Sequence, residues 1–145
     1  MKILYTASAL STGGRDGKVT LENSPLSFDM APPVEMGGTR SDGVNPEQLF
    51  AAGYAACFGS ALQHVYRSRK LSLKPADVKA SVGIGRNNQG GYSLAVELIA
   101  TFSGIDQALA EDLVAEAHQV CPYSNATRNN IEVKVSAKVA EPALA

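Results

Sequence analysis

The two cysteines have the strongest intrinsic chemistry of any side chains in this sequence. Cys57 lies in a long apolar segment, and Cys121 stands immediately before Pro122, 64 residues further along the chain. Three uses compete for the pair: packing in the core, a shared metal ion, or a redox pair that closes into a disulfide. The redox use requires the two Cα atoms to approach within about 4.4–6.8 Å, which only the fold can arrange.

Two histidines complete a nominal set of two thiols and two imidazoles for a metal. His64 lies seven residues after Cys57, and His118 three residues before Cys121. Seven residues rise about 10.5 Å along a helix, whereas the four ligands of one zinc ion all lie about 2.0–2.3 Å from the metal. The spacing therefore disfavours a metal site.

A thiol that attacks an oxidant must first ionise, and a thiol with pKa near 8.5 is only about 3% ionised at neutral pH. Arg15, in a turn with three glycines, is a candidate for the cation that favours ionisation, although an exposed arginine at a hairpin tip has the same sequence pattern. Glu47 is a carboxylate that could hold Arg15 by a bidentate pair, or simply a favourable charge in the first turn of a helix. Cys121 at a helix start would itself feel the positive end of the helix dipole, so local sequence favours Cys121 as the more activated thiol.

Glu47 and Cys57 are ten residues apart, which separates them by about 15 Å on one straight helix. They cannot share a site within one helix. Two such helices packed antiparallel across a dimer axis could bring Glu47 of one chain near Cys57 of the other, unless Arg15 spans the gap within one subunit.

The elements that must position these side chains begin with a small antiparallel meander. Short strands are predicted at 3–9 and 18–22 around a turn at 11–17, with a third at 26–30. A long loop follows at 30–45, because it collects Pro32, Pro33 and three glycines.

Residues 45–48 have the composition of a helix start. Asn45 is the cap, Pro46 takes the first helical position, and Gln48 stands three residues after the cap. These signals predict a helix from Pro46 to about Arg69. Small residues surround most of it, so we expect burial on nearly all sides, with an intimate homodimer supplying a second covering layer.

The second half of the chain predicts two strands, two helical segments and a final strand. A hairpin is expected over 78–102 with its turn at 87–91, then a helix over 106–120, a short helical turn over 122–129 and a strand over 131–139. The fold class is α+β with one central helix, and we predict a single domain over 1–145.

Composition excludes several classes of function. With 13 Lys and Arg against 14 Asp and Glu, the net charge is -1 and no basic cluster marks a nucleic-acid binder. The longest charge-free run, 48–66, contains too many polar residues and glycines to span a membrane. We therefore predict a cytoplasmic protein with reduced thiols, and no membrane partner.

Three segments together resemble the organic hydroperoxide resistance proteins, a branch of the superfamily of osmotically inducible protein C (OsmC). They read TGGRDG at 12–17, NPEQLFAAGYAACF at 45–58 and VCPYSNAT at 120–127. Their order and spacing agree with the family along essentially the whole chain. The resemblance implies an OsmC-like fold, with antiparallel sheets around a long central helix in an intertwined homodimer.

The resemblance also implies a thiol-dependent peroxidase that reduces alkyl and fatty-acid hydroperoxides to alcohols. Cys57 would be the peroxidatic thiolate and Cys121 the resolving thiol, while Arg15 would stabilise the thiolate and orient the peroxide, and Glu47 would hold Arg15. No cofactor or metal is implied. The resulting disulfide would be reopened by an external dithiol, in the family typically the lipoyl group of a lipoylated protein.

Preference for organic peroxides would follow from apolar walls around Cys57. Side chains that could form them, or simply pack in the core, are Met36, Phe50, Phe58 and Tyr123. Two other functions compete with this one: a peroxidase of the OsmC branch with broader peroxide use, and a non-catalytic binder of apolar ligands that keeps two buried thiols.

Overall fold

The computed structural model describes residues 1–140, which form two compact units. The first spans Met1–Leu49 and the second begins at Phe50. The α+β class predicted from the sequence is confirmed. The prediction of one domain over 1–145 extends beyond the described residues and stays a prediction. No helix among residues 1–140 is long and apolar enough to cross a bilayer.

The first unit contains a three-stranded antiparallel sheet. Strands β1 (Ala9–Thr12), β2 (Lys18–Leu21) and β3 (Ser27–Asp29) pair in that order, so the predicted meander is confirmed. The predicted first strand at 3–9 is wrong, because β1 begins only at Ala9. A tight turn after Thr12 sets Thr12 opposite Lys18. The four residues of β2 therefore pair with the four residues just before the turn, 9–12, and not with residues nearer the start of the chain.

The long helix α1 (Pro46–Ser68) begins and ends almost where the sequence predicts. Asn45 and Gln48 cap it reciprocally: the backbone N–H of Gln48 donates to Asn45 Oδ1 at 2.8 Å, and the backbone N–H of Asn45 donates to Gln48 Oε1 at 2.9 Å. The loop at 30–45 is also confirmed, with one 3₁₀ turn at Val34–Met36.

The prediction that α1 is buried on nearly all sides is wrong for a single chain. One face is buried in the core, lined by Tyr54, Phe58, Ala61, Leu62, Val65 and Tyr66. The opposite face, with Ala52, Ala56 and Ser60 at four-residue spacing, is exposed. A single layer of strands and helices covers only one side of a helix, so the small residues stay in solvent.

The second unit surrounds this helix face with a three-stranded sheet and two shorter helices. Its elements after α1 are β4 (Asp77–Arg86), β5 (Tyr92–Phe102), α2 (Gln107–Val120), α3 (Pro122–Thr127) and β6 (Glu132–Val139). β5 is central, antiparallel to β4 as the predicted hairpin requires, but parallel to β6. The long helical connection through α2 and α3 permits that parallel pairing, which makes this sheet mixed rather than antiparallel.

Side chains along β4, β5 and β6 alternate between the two faces of the sheet. Those on one face stand side by side across the strands and form the core of the second unit. Leu98 on β5 stands between Ala80 on β4 and Val135 on β6, and all three face the helices. Val96, Ala100 and Phe102 repeat the pattern along β5. α2 contacts β6, and Arg69 just beyond α1 forms ion pairs with Asp112 and Glu116 of α2. The end of α1 is thereby fastened to α2.

Candidate active site

The structure brings the two sulfur atoms together. Cys57 Sγ on α1 and Cys121 Sγ, between α2 and α3, lie 3.7 Å apart as free thiols. A disulfide bond is about 2.03–2.05 Å long, so the sulfurs must approach by about 1.7 Å to bond. Small side-chain rotations can supply that movement. Of the three uses expected for the pair, this geometry favours redox chemistry.

The position of Cys121 follows from the end of one helix and the start of the next. Its backbone N–H donates to Ala117 O at 2.9 Å, which completes α2, and its own extended backbone caps α3. Pro122 then occupies the first position of α3, as the sequence predicts. The Cys121 side chain is fully buried in the core, whereas Cys57 is only partly buried.

The electrostatic environment of Cys57 contains opposing effects. Burial raises the pKa of the Cys57 thiol, the backbone N–H of Tyr123 acts to lower it, and the neighbouring Cys121 adds to the rise. This donor at the start of α3 therefore acts on Cys57, and the Cys121 side chain makes no capping hydrogen bond to the helix. A helix start favours negative charge where its N–H groups point, and sequence spacing does not reveal that direction.

Arg15 and Glu47 form a bidentate ion pair in the first unit. Arg15 Nη1 donates to Glu47 Oε2 at 2.8 Å, and Nη2 donates to Oε1 at 2.6 Å. Each ion favours the charged form of the other: the pKa of Glu47 is lowered and that of Arg15 raised. The Glu47 side chain is 12% exposed and that of Arg15 32%, so the pair is sheltered without being fully desolvated.

The glycines around Arg15 shape its turn. Gly13 has φ 84°, a left-handed conformation that glycine adopts without steric cost, and Arg15 follows within a short 3₁₀ turn, Gly14–Asp16. A Cβ at Gly17 would overlap the carbonyl oxygen of Thr12. The backbone thus closes tightly beneath Arg15, and its guanidinium reaches Glu47.

An aromatic cluster includes Tyr123, the residue whose backbone N–H meets Cys57. The rings of Phe50, Tyr54 and Tyr123 contact one another, with centroids 5.5–6.2 Å apart. A Cβ at Gly53 would lie 2.7 Å from the Tyr123 hydroxyl, so the glycine makes room for the ring within α1. Of the four apolar side chains proposed as pocket walls, Phe50 and Tyr123 belong to this cluster. Phe58 is fully buried in the core, and Met36 is 41% exposed in the first unit.

A buried hydroxyl network connects α1, α2 and α3, and sequence reasoning missed most of it. Ser124 Oγ lies 2.8 Å from the Tyr54 hydroxyl and 2.8 Å from His118 Nδ1, and Thr127 Oγ1 lies 3.1 Å from the Tyr54 hydroxyl. Burial, together with the charge of Arg128, lowers the pKa of His118. The one signal in the sequence was that Tyr54 and Ser124 each lie three residues from a cysteine.

The four proposed metal ligands do not assemble. His64 is exposed, and His118 Nδ1 is hydrogen-bonded to Ser124 Oγ. Between residues 1 and 140, no group of three or more His, Cys, Asp or Glu side chains comes close enough to hold a metal ion.

Comparison with known proteins gives consistent results. A model of the OsmC-like protein family matches residues 38–136. The organic hydroperoxide resistance protein of Xanthomonas axonopodis pv. citri is 50% identical over 93% of this chain and 95% of its own length. The crystal structure of an organic hydroperoxide resistance protein from Elizabethkingia anophelis is 51% identical, with a TM-score of 0.92 over 97% of this chain and 100% of its own. OhrB of Bacillus subtilis is 40% identical with a TM-score of 0.84, over 94% of this chain and 100% of its own.

The Arg15–Glu47 pair predicts a pH-dependent contribution to stability. We expect Glu47→Gln to lower the free energy of unfolding by roughly 0.5–1 kcal/mol at pH 7. Because the pKa of Glu47 is depressed in the folded protein, this contribution is complete above the unfolded value of about 4.3 and is lost as the pH falls through the folded value. Urea unfolding of both proteins between pH 7 and pH 2.5 measures the difference.

Glu35→Gln is the matched control, since Glu35 is an exposed carboxylate of the same unit. It should leave stability nearly unchanged throughout. A Glu47→Gln effect of constant size down to pH 2.5 would contradict an origin in the ion pair.

Proposed function

The chain belongs to the OsmC-like protein family, and we propose that it is a thiol-dependent peroxidase that reduces organic hydroperoxides to alcohols. The observation that carries this proposal is the 3.7 Å approach of Cys57 Sγ and Cys121 Sγ. The names of three relatives support the substrate class, since proteins at 50%, 51% and 40% identity are named organic hydroperoxide resistance proteins.

The proposed reaction has two steps on the enzyme. The Cys57 thiolate attacks the distal oxygen of the hydroperoxide, the O–O bond breaks, and the alkoxide leaves as the alcohol after taking a proton. Cys57 is then a sulfenic acid. The Cys121 thiol attacks that sulfur, the S–S bond forms, and the sulfenic hydroxyl leaves as water with the thiol proton.

The difference in burial between the sulfurs supports this order of roles. Cys57 is partly exposed, so a peroxide can reach it, whereas Cys121 has no exposed surface. A buried thiol 3.7 Å away can meet only an oxidant already attached to Cys57. Cys57 is therefore assigned as the peroxidatic thiol and Cys121 as the resolving thiol.

Ionisation of Cys57 requires help from a cation, because burial raises the pKa of its thiol. We assign that role to Arg15, with Glu47 fixing the guanidinium through two hydrogen bonds. The bidentate pair leaves the remaining N–H groups of Arg15 available to a thiolate and a peroxide oxygen.

Specificity for organic peroxides is supported by the aromatic cluster. Phe50 and Tyr123 present apolar ring surface next to the segment that hydrogen-bonds Cys57. An alkyl chain gains free energy by leaving water for such a surface, at roughly 25 cal/mol per Å² buried, and hydrogen peroxide has no apolar surface to bury.

Turnover also needs a reductant, which we propose is a dithiol such as the lipoyl group of a lipoylated protein. Thiol–disulfide exchange proceeds through a mixed disulfide, and a dithiol can complete the exchange within one molecule. Attack would fall on Cys57, the more accessible sulfur. A cytoplasmic location would keep such thiols reduced, and it stays a prediction.

We further propose that the protein is a homodimer. The middle of the exposed face of α1 carries only the small residues Ala52, Ala56 and Ser60, which permit close helix packing. In the first unit, apolar side chains are also exposed near the start of the chain, including Ile3, Leu4, Tyr5 and Leu10. Surfaces of this kind typically mark interfaces between protein chains.

Thiol counting tests the peroxidase proposal. One equivalent of an alkyl hydroperoxide should convert reduced protein to a form two hydrogens lighter by mass spectrometry. Cys57→Ser should abolish the reaction, and Cys121→Ser should stop it at an oxidised Cys57 that a sulfenic-acid reagent traps. Hydrogen peroxide should react at least tenfold more slowly.

Each contrary outcome is informative. A protein that loses no hydrogens is a binder and not a peroxidase, and full single-turnover activity in Cys57→Ser would reverse the roles of the thiols. Equal rates with both peroxides would place the protein in the broader OsmC branch.

Arg15→Lys tests the proposed role of the guanidinium. Lysine keeps the charge but cannot form the two parallel bonds to Glu47, so kcat/KM for an alkyl hydroperoxide should fall on the order of tenfold to a hundredfold. Stopped-flow oxidation of the reduced protein measures it. Arg40→Lys is the control: Arg40 is an exposed arginine of the same unit, paired with Asp42, and its exchange should leave kcat/KM unchanged. An active Arg15→Lys variant would exclude a bidentate role.

Ala56→Glu tests the dimer. A charge in the small-residue face of α1 should make a dimeric protein monomeric in light scattering. Ser81→Glu, which places the same charge at an exposed position of β4, should remain dimeric. A monomeric wild type, or a dimeric Ala56→Glu variant, would contradict packing through this face.

A further inference from the structure

The buried hydroxyl network of Tyr54, His118, Ser124 and Thr127 has no part in the reaction as described so far. Tyr54 and Ser124 have no exposed surface, and Thr127 is 4% exposed. Buried hydroxyl groups are costly unless each is hydrogen-bonded. Here every hydroxyl has a partner, and the bonds join three helices.

Counting hydrogens fixes the direction of the bonds. Thr127 Oγ1 donates its single hydrogen to the backbone, to Tyr123 O at 3.0 Å or Ser124 O at 3.3 Å, so in either case it must accept from the Tyr54 hydroxyl. Tyr54 has then spent its hydrogen and must accept from Ser124 Oγ. Ser124 in turn must accept from His118, whose Nδ1 carries the proton. This order keeps every contact between the side chains together with a Thr127 bond to the backbone, whereas the reverse order leaves that backbone bond unmade.

The network spans the same segments that hold the sulfurs. Tyr54 lies three residues before Cys57 on α1, and Ser124 lies three residues after Cys121 on α3. His118 lies three residues before Cys121 on α2. The Tyr54–Ser124 and Tyr54–Thr127 bonds therefore fasten α3 directly to α1, about one helical turn from the point where Cys121 meets Cys57.

Disulfide formation depends on this fastening more than peroxide attack does. The first oxidation needs only Cys57 and a peroxide, whereas the second step must bring two protein sulfurs from 3.7 Å to about 2.05 Å. Reactions between two groups held in place are sensitive to displacements of about 1 Å. A loosened α3 would lower the fraction of time that Cys121 spends within reach.

We propose that the hydrogen-bond chain His118–Ser124–Tyr54–Thr127 positions Cys121 for attack on oxidised Cys57. This inference rests on the proposed peroxidase function and assigns Tyr54, Ser124, Thr127 and His118 as positioning residues for the resolving step. They act through the placement of α3 and touch neither the peroxide nor the sulfurs.

Tyr54→Phe tests the inference, because it removes the hydroxyl and keeps the ring. Rapid mixing with an alkyl hydroperoxide, followed by acid quench and mass spectrometry, separates sulfenic acid from disulfide. The rate of first oxidation should stay within about twofold of wild type. Disulfide formation should slow by roughly tenfold or more, because the hydroxyl makes two hydrogen bonds and both are lost, and more Cys57 should proceed to sulfinic acid under excess peroxide.

Tyr66→Phe is the matched control. Tyr66 is also a buried tyrosine of α1, but its hydroxyl has no hydrogen-bond partner within residues 1–140. Removing that hydroxyl should change neither rate. Thr127→Val should repeat the effect of Tyr54→Phe, and Thr127→Ser, which retains the hydroxyl, should restore disulfide formation.

The outcomes separate this inference from the function on which it rests. If wild-type protein forms no disulfide, the peroxidase proposal fails. If wild type forms the disulfide and both Tyr54→Phe and Thr127→Val match its rate, the positioning role is wrong. Nitrogen NMR of His118 at pH 8 tests the chain without any peroxide: a proton on Nδ1 is expected, and a proton on Nε2 would overturn the assigned order.

Discussion

The approach of two sulfur atoms across 64 residues of chain is the constraint on which the remaining structure depends. Cys57 is carried by the interior of α1, and Cys121 by the junction of α2 and α3. Their distance is therefore set by how three helices pack on one sheet. The paired strands β4, β5 and β6 supply the apolar surface for that packing, and Leu98 is fully buried on the central strand. The packing of the core therefore also sets the distance between the two sulfur atoms.

Burial has opposite consequences for the two thiols. It shields Cys121 from solvent, which suits the resolving role proposed for this thiol. For Cys57 the same apolar surroundings raise the pKa of the thiol, with the Tyr123 N–H as an opposing donor. A site of this kind gains from a strong, geometrically fixed cation. The Arg15–Glu47 pair has the required properties within its own unit: two short hydrogen bonds, partial shelter from solvent and a backbone turn that few residues other than glycine permit.

Much of the fold could be predicted because its signals are local. The Asn45 and Gln48 cap, the Pro46 start and the alternation along β5 each depend on neighbours in sequence, and all were confirmed. The predictions that failed all concern contacts between residues that are far apart in the sequence. The start of β1 depended on which residues faced β2, the parallel pairing of β6 on the path of the chain through α2 and α3, and the exposure of Ala56 on how many layers cover α1.

The candidate site shows the same division. Residue types and motif spacing made Cys57, Cys121, Arg15 and Glu47 the candidates, and the fold brings Cys57 to Cys121 and Arg15 to Glu47. Only the tertiary structure decided the direction of the Tyr123 N–H, the hydrogen bonds of the Ser124 hydroxyl and the close contact of the Tyr123 ring with Gly53. Hydrogen bonds and ring contacts require atoms within about 3–6 Å. Sequence spacing gives the face of one helix, but not which atoms of another helix meet it.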